Sequence, residues 1–336
     1  MKPFVISVAS SGDESEVRNY ILSVLRERKD VTWEIDPLGS LLVQKQGKKR
    51  APHKLMISAH MDEVGMIVTH VNSDSTYCLE AVGGVDASVA LGRQVLVGEE
   101  HLHGVIGAKP VHLLSADEKK KLPKWDELVL DMGILPEAER RTAAREGTYV
   151  YFAPNFTRMG KSRVCSKAID DRAGCAMLLH LLEQEAPYDF TAAFLVWEEI
   201  GLRGAKQPIQ STGICSGSGS HHCRGHCRCR GDAKCAVWAK VGNIALWIAV
   251  QFMIRNYTVW HFPSAKNSSG KPNPALPAEM TAVHSCQPRW CRTLAISLPC
   301  RYLHSPSCLA DLKDLDACTA LLPLLIKSIM EEVSSI

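Results

Sequence analysis

An apolar run that stops on two adjacent carboxylates constrains this chain more than any other stretch: Phe194-Leu195-Val196-Trp197-Glu198-Glu199-Ile200-Gly201. Its aromatic and β-branched content reads as a buried strand, and a glycine-bearing turn follows at once. Neighbouring side chains at a strand end point in different directions, so one carboxylate can hold a metal while the other faces a water. Metal-assisted hydrolysis needs that division of labour. A solvated Glu pair opening a loop is the bland alternative, and this stretch alone favours it.

Two upstream stretches shift the balance. Leu55-Met56-Ile57-Ser58-Ala59-His60-Met61-Asp62 reads as a second buried strand that delivers His60 and Asp62 at its end. Imidazole is a good ligand for zinc or cobalt, and a carboxylate two residues on can orient it. Further along, Asp170-Asp171 precedes the apolar helix 175–184. Ordinary N-capping accounts for one of these acids. The functional reading makes Asp170 a carboxylate that bridges two metals.

With 336 residues, 46% of them hydrophobic and 22% charged, the chain has the composition of a soluble globular protein of one large or two ordinary domains. The net charge of +3 offers no electrostatic footprint for nucleic acid or a membrane surface. The opening residues do not read as a secretory leader. The longest apolar run elsewhere, 244–254, is too short to cross a bilayer as a helix. A cytoplasmic setting is therefore expected. The thirteen cysteines are an odd number, which argues against a disulfide framework. Cys215, Cys223, Cys227, Cys229, Cys235, Cys286 and Cys291 all fall between 207 and 292, so the character of the chain changes there.

In order along the chain, the cluster Ser10-Ser11-Gly12-Asp13-Glu14 and apolar residues at Val17, Tyr20, Ile21, Val24 and Leu25 predict an amphipathic helix over 10–28. Alternation about Asp36-Pro37-Leu38-Gly39 predicts a hairpin. Residues 66–160 carry many short strands with glycine turns, which predicts an all-β insertion forming a small barrel. Its Lys119-Lys120-Lys121 connection is read as solvated. The fold class is α/β: a mixed sheet between helices, interrupted by the barrel.

Four segments, Ser58–Gly65, Ser166–Gly174, Glu198–Ala205 and Ile296–Ser307, occur in that order. Together they resemble the MH-clan dinuclear metallopeptidases of peptidase family 42, the glutamyl and deblocking aminopeptidases that assemble as hollow tetrahedral shells. With the first and last helices the resemblance covers 1–206 and 293–336. It implies a catalytic domain of phosphorylase/hydrolase type, residues 1–65 and 161–336, and an assembly barrel, residues 66–160. It implies two divalent ions, zinc, cobalt or manganese: one held by His60 and Asp170, the other by Asp170, Glu199 and His304. Asp62 would orient His60, and Glu198 would be the general base. The resemblance further implies peptide substrates, a homo-oligomer, specifically a dodecamer, and often a cis bond between Asp170 and Asp171.

The chain also departs from that pattern. The strand after Glu198–Ala205 that should bring one more terminal carboxylate is missing, as is a Gly-Gly-Asn-Asp-Ala-Gly-like substrate loop. Residues 207–292 show neither helix nor strand periodicity. A zinc module built from His221, His222, Cys223, His226, Cys227, Cys229 and Cys235 is one reading, but the spacing does not give two Cys-x-x-Cys knuckles. The other is a frameshift. Codons for Ser211–Asp232 displaced by one base can spell the missing strand with its acidic ligand. Later displacements supply the missing loop, and the original frame resumes at Arg292. The expectation is that about 206–292 is translated out of frame and that activity is impaired as written. A glycoside hydrolase built on Glu198 and a second carboxylate is the nearest different enzyme class. It leaves His60 and His304 without a task.

Overall fold

A computed structural model describes residues 1–52, 54–133, 139, 142–205, 249–255 and 291–332. The chain begins with a short helix α1, Lys2–Ile6, and a longer one, α2, Ser15–Leu25. Strands β1, Val31–Ile35, and β2, Leu41–Lys45, form the expected hairpin. Its turn is held by Asp36, whose Oδ1 accepts the amides of Leu38, Gly39 and Ser40, while Gly39 takes the positive φ of 105° that the turn requires. Strand β3, Leu55–His60, is buried at every position, its apolar Leu55, Met56, Ile57 and Ala59 carrying Ser58 and His60 inside with them.

From β3 the chain passes directly into six strands: β4 Gly65–Val71, β5 Thr76–Val82, β6 Gln94–Val97, β7 Leu102–Ala108, β8 Leu128–Asp131 and β9 Tyr149–Phe152. They close into a barrel in the order β4-β5-β8-β7-β6-β9, filled by Met66, Val68, Tyr77, Leu79, Ile106 and Leu130. Closure removes the exposed edges of so many short strands. Lys119, Lys120 and Lys121 are exposed on the connection before β8, as anticipated.

Strands β10, Thr157–Met159, and β11, Arg163–Ser166, lead to helix α3, Ile169–Glu183, and then to β12, Phe190–Leu195. After β13, Ala249–Arg255, and β14, Cys291–Ser297, come β15, Cys300–Arg301, β16, Cys308–Asp311, and the final helix α4, Leu312–Glu332. The main sheet runs β1-β2-β12-β3-β13-β14. Among the described residues, only β12 and β3 pair in parallel within it. Helices α2, α3 and α4 bury Ile21, Leu25, Leu178, Leu182, Leu322 and Ile326 in one core with Leu41, Val43, Ile57, Ala192 and Phe194 of the sheet. That periodic apolar stripe on each helix is what selects a helix-on-sheet arrangement.

The structure departs from the sequence reading in four places. Helix α1 was not anticipated. Helix α2 starts at Ser15 rather than near residue 10, because Ser10–Asp13 form a turn closed by the Asp13 amide on the Ser10 carbonyl. A separate four-stranded sheet, β10-β11-β16-β15, was not foreseen either. Finally, the stretch expected to lack strands contributes Ala249–Arg255, antiparallel to both β3 and β14. The apolar run at 244–254 has the aromatic and β-branched residues that suit a sheet beside β3. Among the described residues, no helix is long and apolar enough to cross a membrane.

On β2 a core position holds a charge. Lys45 is 2% exposed, and its Nζ donates to the Leu182 carbonyl at 2.7 Å and to Asp30. Arg28, and then Lys45, hold the Asp30 carboxyl down to about 2 against the opposing effect of burial. A depressed acid contributes stability above its unfolded pKa and loses it as pH falls through the folded one. The stability gap between the parent and Asp30→Asn should therefore be full at pH 6 and close between about pH 4 and pH 2, measured by urea unfolding at each pH. Phe194 is fully buried at the centre of the sheet. Phe194→Ala should cost about 3–5 kcal/mol in the same measurement, against less than about 0.5 for the exposed Lys120→Ala.

Candidate metal centre

Strand ends and loops converge on one site. His60 is the last residue of β3, and Asp62 and Glu63 follow as the chain leaves for the barrel. The parallel neighbour β12 places Leu195 beside His60, so the Glu198-Glu199 turn emerges next to the imidazole. Helix α3 brings Asp170 and Asp171 at its start, and the β15–β16 hairpin carries His304 in its loop. The backbone is strained where these groups are delivered. Ala168, Trp197, Tyr302 and His304 all have positive φ, between 52° and 59°, which side-chain-bearing residues rarely adopt.

The two acids at the start of α3 face different partners. Asp171 is buried, and its Oδ1 accepts the Gly174 amide at 3.1 Å, the bond of a helix cap, while Oδ2 accepts the His60 amide at 3.2 Å. Asp170 points the other way. Its Oδ1 lies 3.2 Å from His60 Nε2 and its Oδ2 lies 3.7 Å from His304 Nε2, so one carboxylate faces both imidazoles. The peptide bond between the two acids is cis.

Glu199 Oε2 lies 3.3 Å from His304 Nε2, and Glu198 Oε2 lies 3.7 Å from His60 Nε2. Two sets of ligand-type atoms, His60 with Glu198 and Glu199, and Asp170 with Glu199 and His304, each lie within 4.8 Å of one another. All six sequence-designated residues are thus assembled, with Asp62 on the far side of His60. Its carbonyl lies 3.1 Å and its Oδ1 3.4 Å from His60 Nδ1. Glu198, expected to stand clear of the ions, is itself among the ligand-type groups around His60.

The electrostatics suit a cation. Burial pushes the Glu199 carboxyl well above the ordinary range, and Asp170 beside it adds to the effect. Burial also raises Glu198. Burial works against a charged His60, but Glu198, Asp170 and Asp62 outweigh it and hold that imidazole well above its usual pKa. Burial would raise Asp62 too. His60, the Ser11 hydroxyl and the Glu199 amide overcome it and keep Asp62 below the ordinary value. Carboxylates this close repel one another when ionised, and a divalent ion removes that penalty. Imidazole nitrogen with carboxylate oxygen is a donor set that zinc, cobalt and manganese all accept. The residues present fit such a group.

Several participants carry no local signature in sequence. Glu63 is buried against Lys167 Nζ at 2.6 Å and Arg172 at 3.3 Å. Arg172 and Lys167 also donate to the carbonyls of Phe4, Ser7 and Ala9, pinning the first nine residues behind the site. A cation inside an apolar helix start was the available signal for Arg172. Gly83 and Gly84, in the loop after β5, are the other group missed. A Cβ on Gly84 would sit 3.0 Å from His304 Nδ1, and one on Gly83 would sit 3.2 Å from the Glu199 Cβ. The barrel therefore touches the ligand set directly. Gly84→Ala should displace His304 and weaken cobalt binding by about tenfold, read by calorimetric titration. Unaltered affinity would show that the ring can move aside.

A mixed α/β fold with a closed barrel thus carries clustered carboxylates and imidazoles near its strand ends, the make-up of a metal-binding site. Residues 39–214 match the family described as M42 glutamyl aminopeptidase, and the chain belongs to that family. The lysyl aminopeptidase of Pyrococcus furiosus is 32% identical over 214 residues, 61% of this chain and 60% of that protein. This chain spans about three fifths of the length of the first curated relatives it matches. Among solved structures, the TET1 peptidase of Pyrococcus horikoshii, which assembles into a tetrahedron or a large octahedral shell, covers 97% of each chain at TM-score 0.67 and 23% identity. A Thermotoga maritima structure titled an endoglucanase covers 99% of this chain and 98% of that one, at TM-score 0.67 and 26% identity.

Proposed function

We propose that this chain is a metal-dependent aminopeptidase that removes N-terminal residues from peptides, its activity impaired in the sequence as written. The observation that carries the reading is Asp170, which turns one carboxylate oxygen to His60 and the other to His304. His60, Asp170, Glu199 and His304 would hold two divalent ions, zinc, cobalt or manganese. When bound, such a pair polarises a scissile carbonyl and lowers the pKa of water.

The remaining steps belong to the chain's own side chains. Asp62 fixes the ring of His60 from its Nδ1 side, leaving Nε2 toward the site. Glu198 is one-third exposed, so it can meet both water and substrate. Its carboxylate takes the proton of the attacking water and returns it to the departing amine nitrogen. Burial raises its pKa toward the range in which a carboxyl both accepts and donates.

The proposal includes the division into a catalytic domain of MH-clan type, 1–65 and 161–336, and an inserted assembly barrel, 66–160. It includes a homo-oligomer, specifically a dodecamer, the assembly seen in a TET1 structure of similar fold. It also includes a cytoplasmic setting, supported by the thiols of Cys78, Cys165, Cys175 and Cys308. The terminal carboxylate absent from the first ion's shell is assigned to the frameshifted segment. That segment, apart from Ala249–Arg255 and residues 291–292, and with it the Cys/His cluster at 215–235, lies outside the described residues. Resequencing codons 200–300 tests this part, because an unbroken source frame with an acidic strand after Ala205 is expected.

The test of function is hydrolysis of a panel of aminoacyl amides by the full chain supplied with zinc, cobalt or manganese. Activity should fall at least 100-fold with a chelator, and Glu198→Gln should lower kcat by about 10²–10⁴. Chelator-resistant cleavage of a β-glucan, without aminoacyl amide hydrolysis, would transfer the chain to the glycosidase class.

A further inference from the structure

The turn that carries Glu198 and Glu199 is held from outside by carboxylates that are not ligands. Its three consecutive amides are all accepted by side chains. Trp197 N–H donates to Glu14 Oε1 at 3.2 Å, Glu198 N–H to Asp62 Oδ1 at 3.1 Å and Glu199 N–H to Asp62 Oδ2 at 3.1 Å. Asp62 is fixed in turn by the Ser11 hydroxyl, which donates to its Oδ2 at 2.6 Å. Glu14 Oε1 accepts a second bond, from the Gly12 amide at 2.9 Å.

The bland role for an acid at this position is capping α2, at whose N-cap Glu14 stands. Its side chain makes no such bond. It reaches instead across 183 positions of sequence to Trp197, a residue of the turn whose φ is +57°. Glu14 is 4% exposed, and burial pushes its pKa up to about 7. A buried acid of this kind costs stability, so its retention needs another reason.

We propose that Glu14 is a positioning residue: by holding the Trp197 amide it keeps the strained turn in the one conformation that aims Glu198 and Glu199 into the site. Ser11 plays the same part for Asp62. This inference rests on the proposed function for its kinetic readout only. Without the Glu14 oxygen, the Trp197 amide loses its acceptor and the residue relaxes from the left-handed region. The Glu pair then swings away from His60 and His304. A displacement of about 1 Å at reacting groups costs on the order of 100-fold in rate.

The experiment compares Glu14→Ala, Glu14→Gln and Glu14→Asp with the parent full chain, each first shown folded by circular dichroism. Two readouts follow: kcat and KM on an aminoacyl amide, and the visible absorption of the cobalt-loaded protein. Glu14→Ala should lower kcat about 100-fold with KM changed less than about threefold, and should alter the cobalt spectrum. Glu14→Gln keeps an amide-accepting oxygen and should recover kcat to within about fivefold of the parent. Glu14→Asp keeps the charge but withdraws the oxygen, and should behave like alanine. Parental kcat and spectrum in folded Glu14→Ala would overturn the proposal, as would parental values in Glu14→Asp or no recovery in Glu14→Gln. Should Glu14→Ala not fold, the aspartate and glutamine variants decide the matter alone. A parent that binds cobalt but cleaves no aminoacyl amide would sink the functional reading, and the spectra would still decide the role of Glu14.

Discussion

Crowding acids where water is scarce is the constraint on which this structure depends. Asp170, Glu198 and Glu199 meet two imidazoles at the ends of β3, α3 and β12, and burial raises the cost of ionising Glu198 and Glu199. Such a group does not hold itself together. It is kept by a surrounding layer in which amides are given to carboxylates: Asp171 takes the amide of His60, Asp62 those of Glu198 and Glu199, and Glu14 that of Trp197. His60, Glu198 and Glu199 are thus fastened by their own backbones, and their side chains are left to face the site.

A second layer lies behind the first. Glu63, Lys167 and Arg172 form a buried charge cluster whose cations also take up carbonyls from the first nine residues. Removing Glu63 would leave two cations in the interior without their shared acid, which is costlier than the cluster is stabilising. The N-terminal strip is thereby tied to the segments that also carry Asp62 and Asp170. Tyr149 and Tyr151 of the barrel reach the same strip through the Ser11 carbonyl and the Asp13 carboxylate.

What could be read from sequence was whatever repeats locally. Two apolar runs ending in ligand-type residues announced His60, Asp62, Glu198 and Glu199, because a strand exposes its chemistry at its end. The Asp pair could be split into a cap and a site residue, since a helix start needs only one acid. Short strands with glycine turns pointed to the barrel. Ser11, Glu14, Gly83 and Gly84 escaped because their partners lie 51 to 220 positions away, and nothing periodic marks them. The sheet β10-β11-β16-β15 escaped for the same reason, being assembled from strands of two to four residues on either side of α3. Ala249–Arg255 was passed over because its neighbours in sequence have no pattern, although its own residues suit a strand.

The glycine tip of the barrel has a consequence for how such a molecule can be altered. Because Gly83 and Gly84 lie against Glu199 and His304, the barrel forms one wall of the chemical site. It is not a detachable appendage. A graft that exchanged the barrel for one of equal size but with a bulkier tip would leave all six designated residues unchanged and still misplace two of them. Compatibility between the two parts of the chain is therefore decided by two missing side chains.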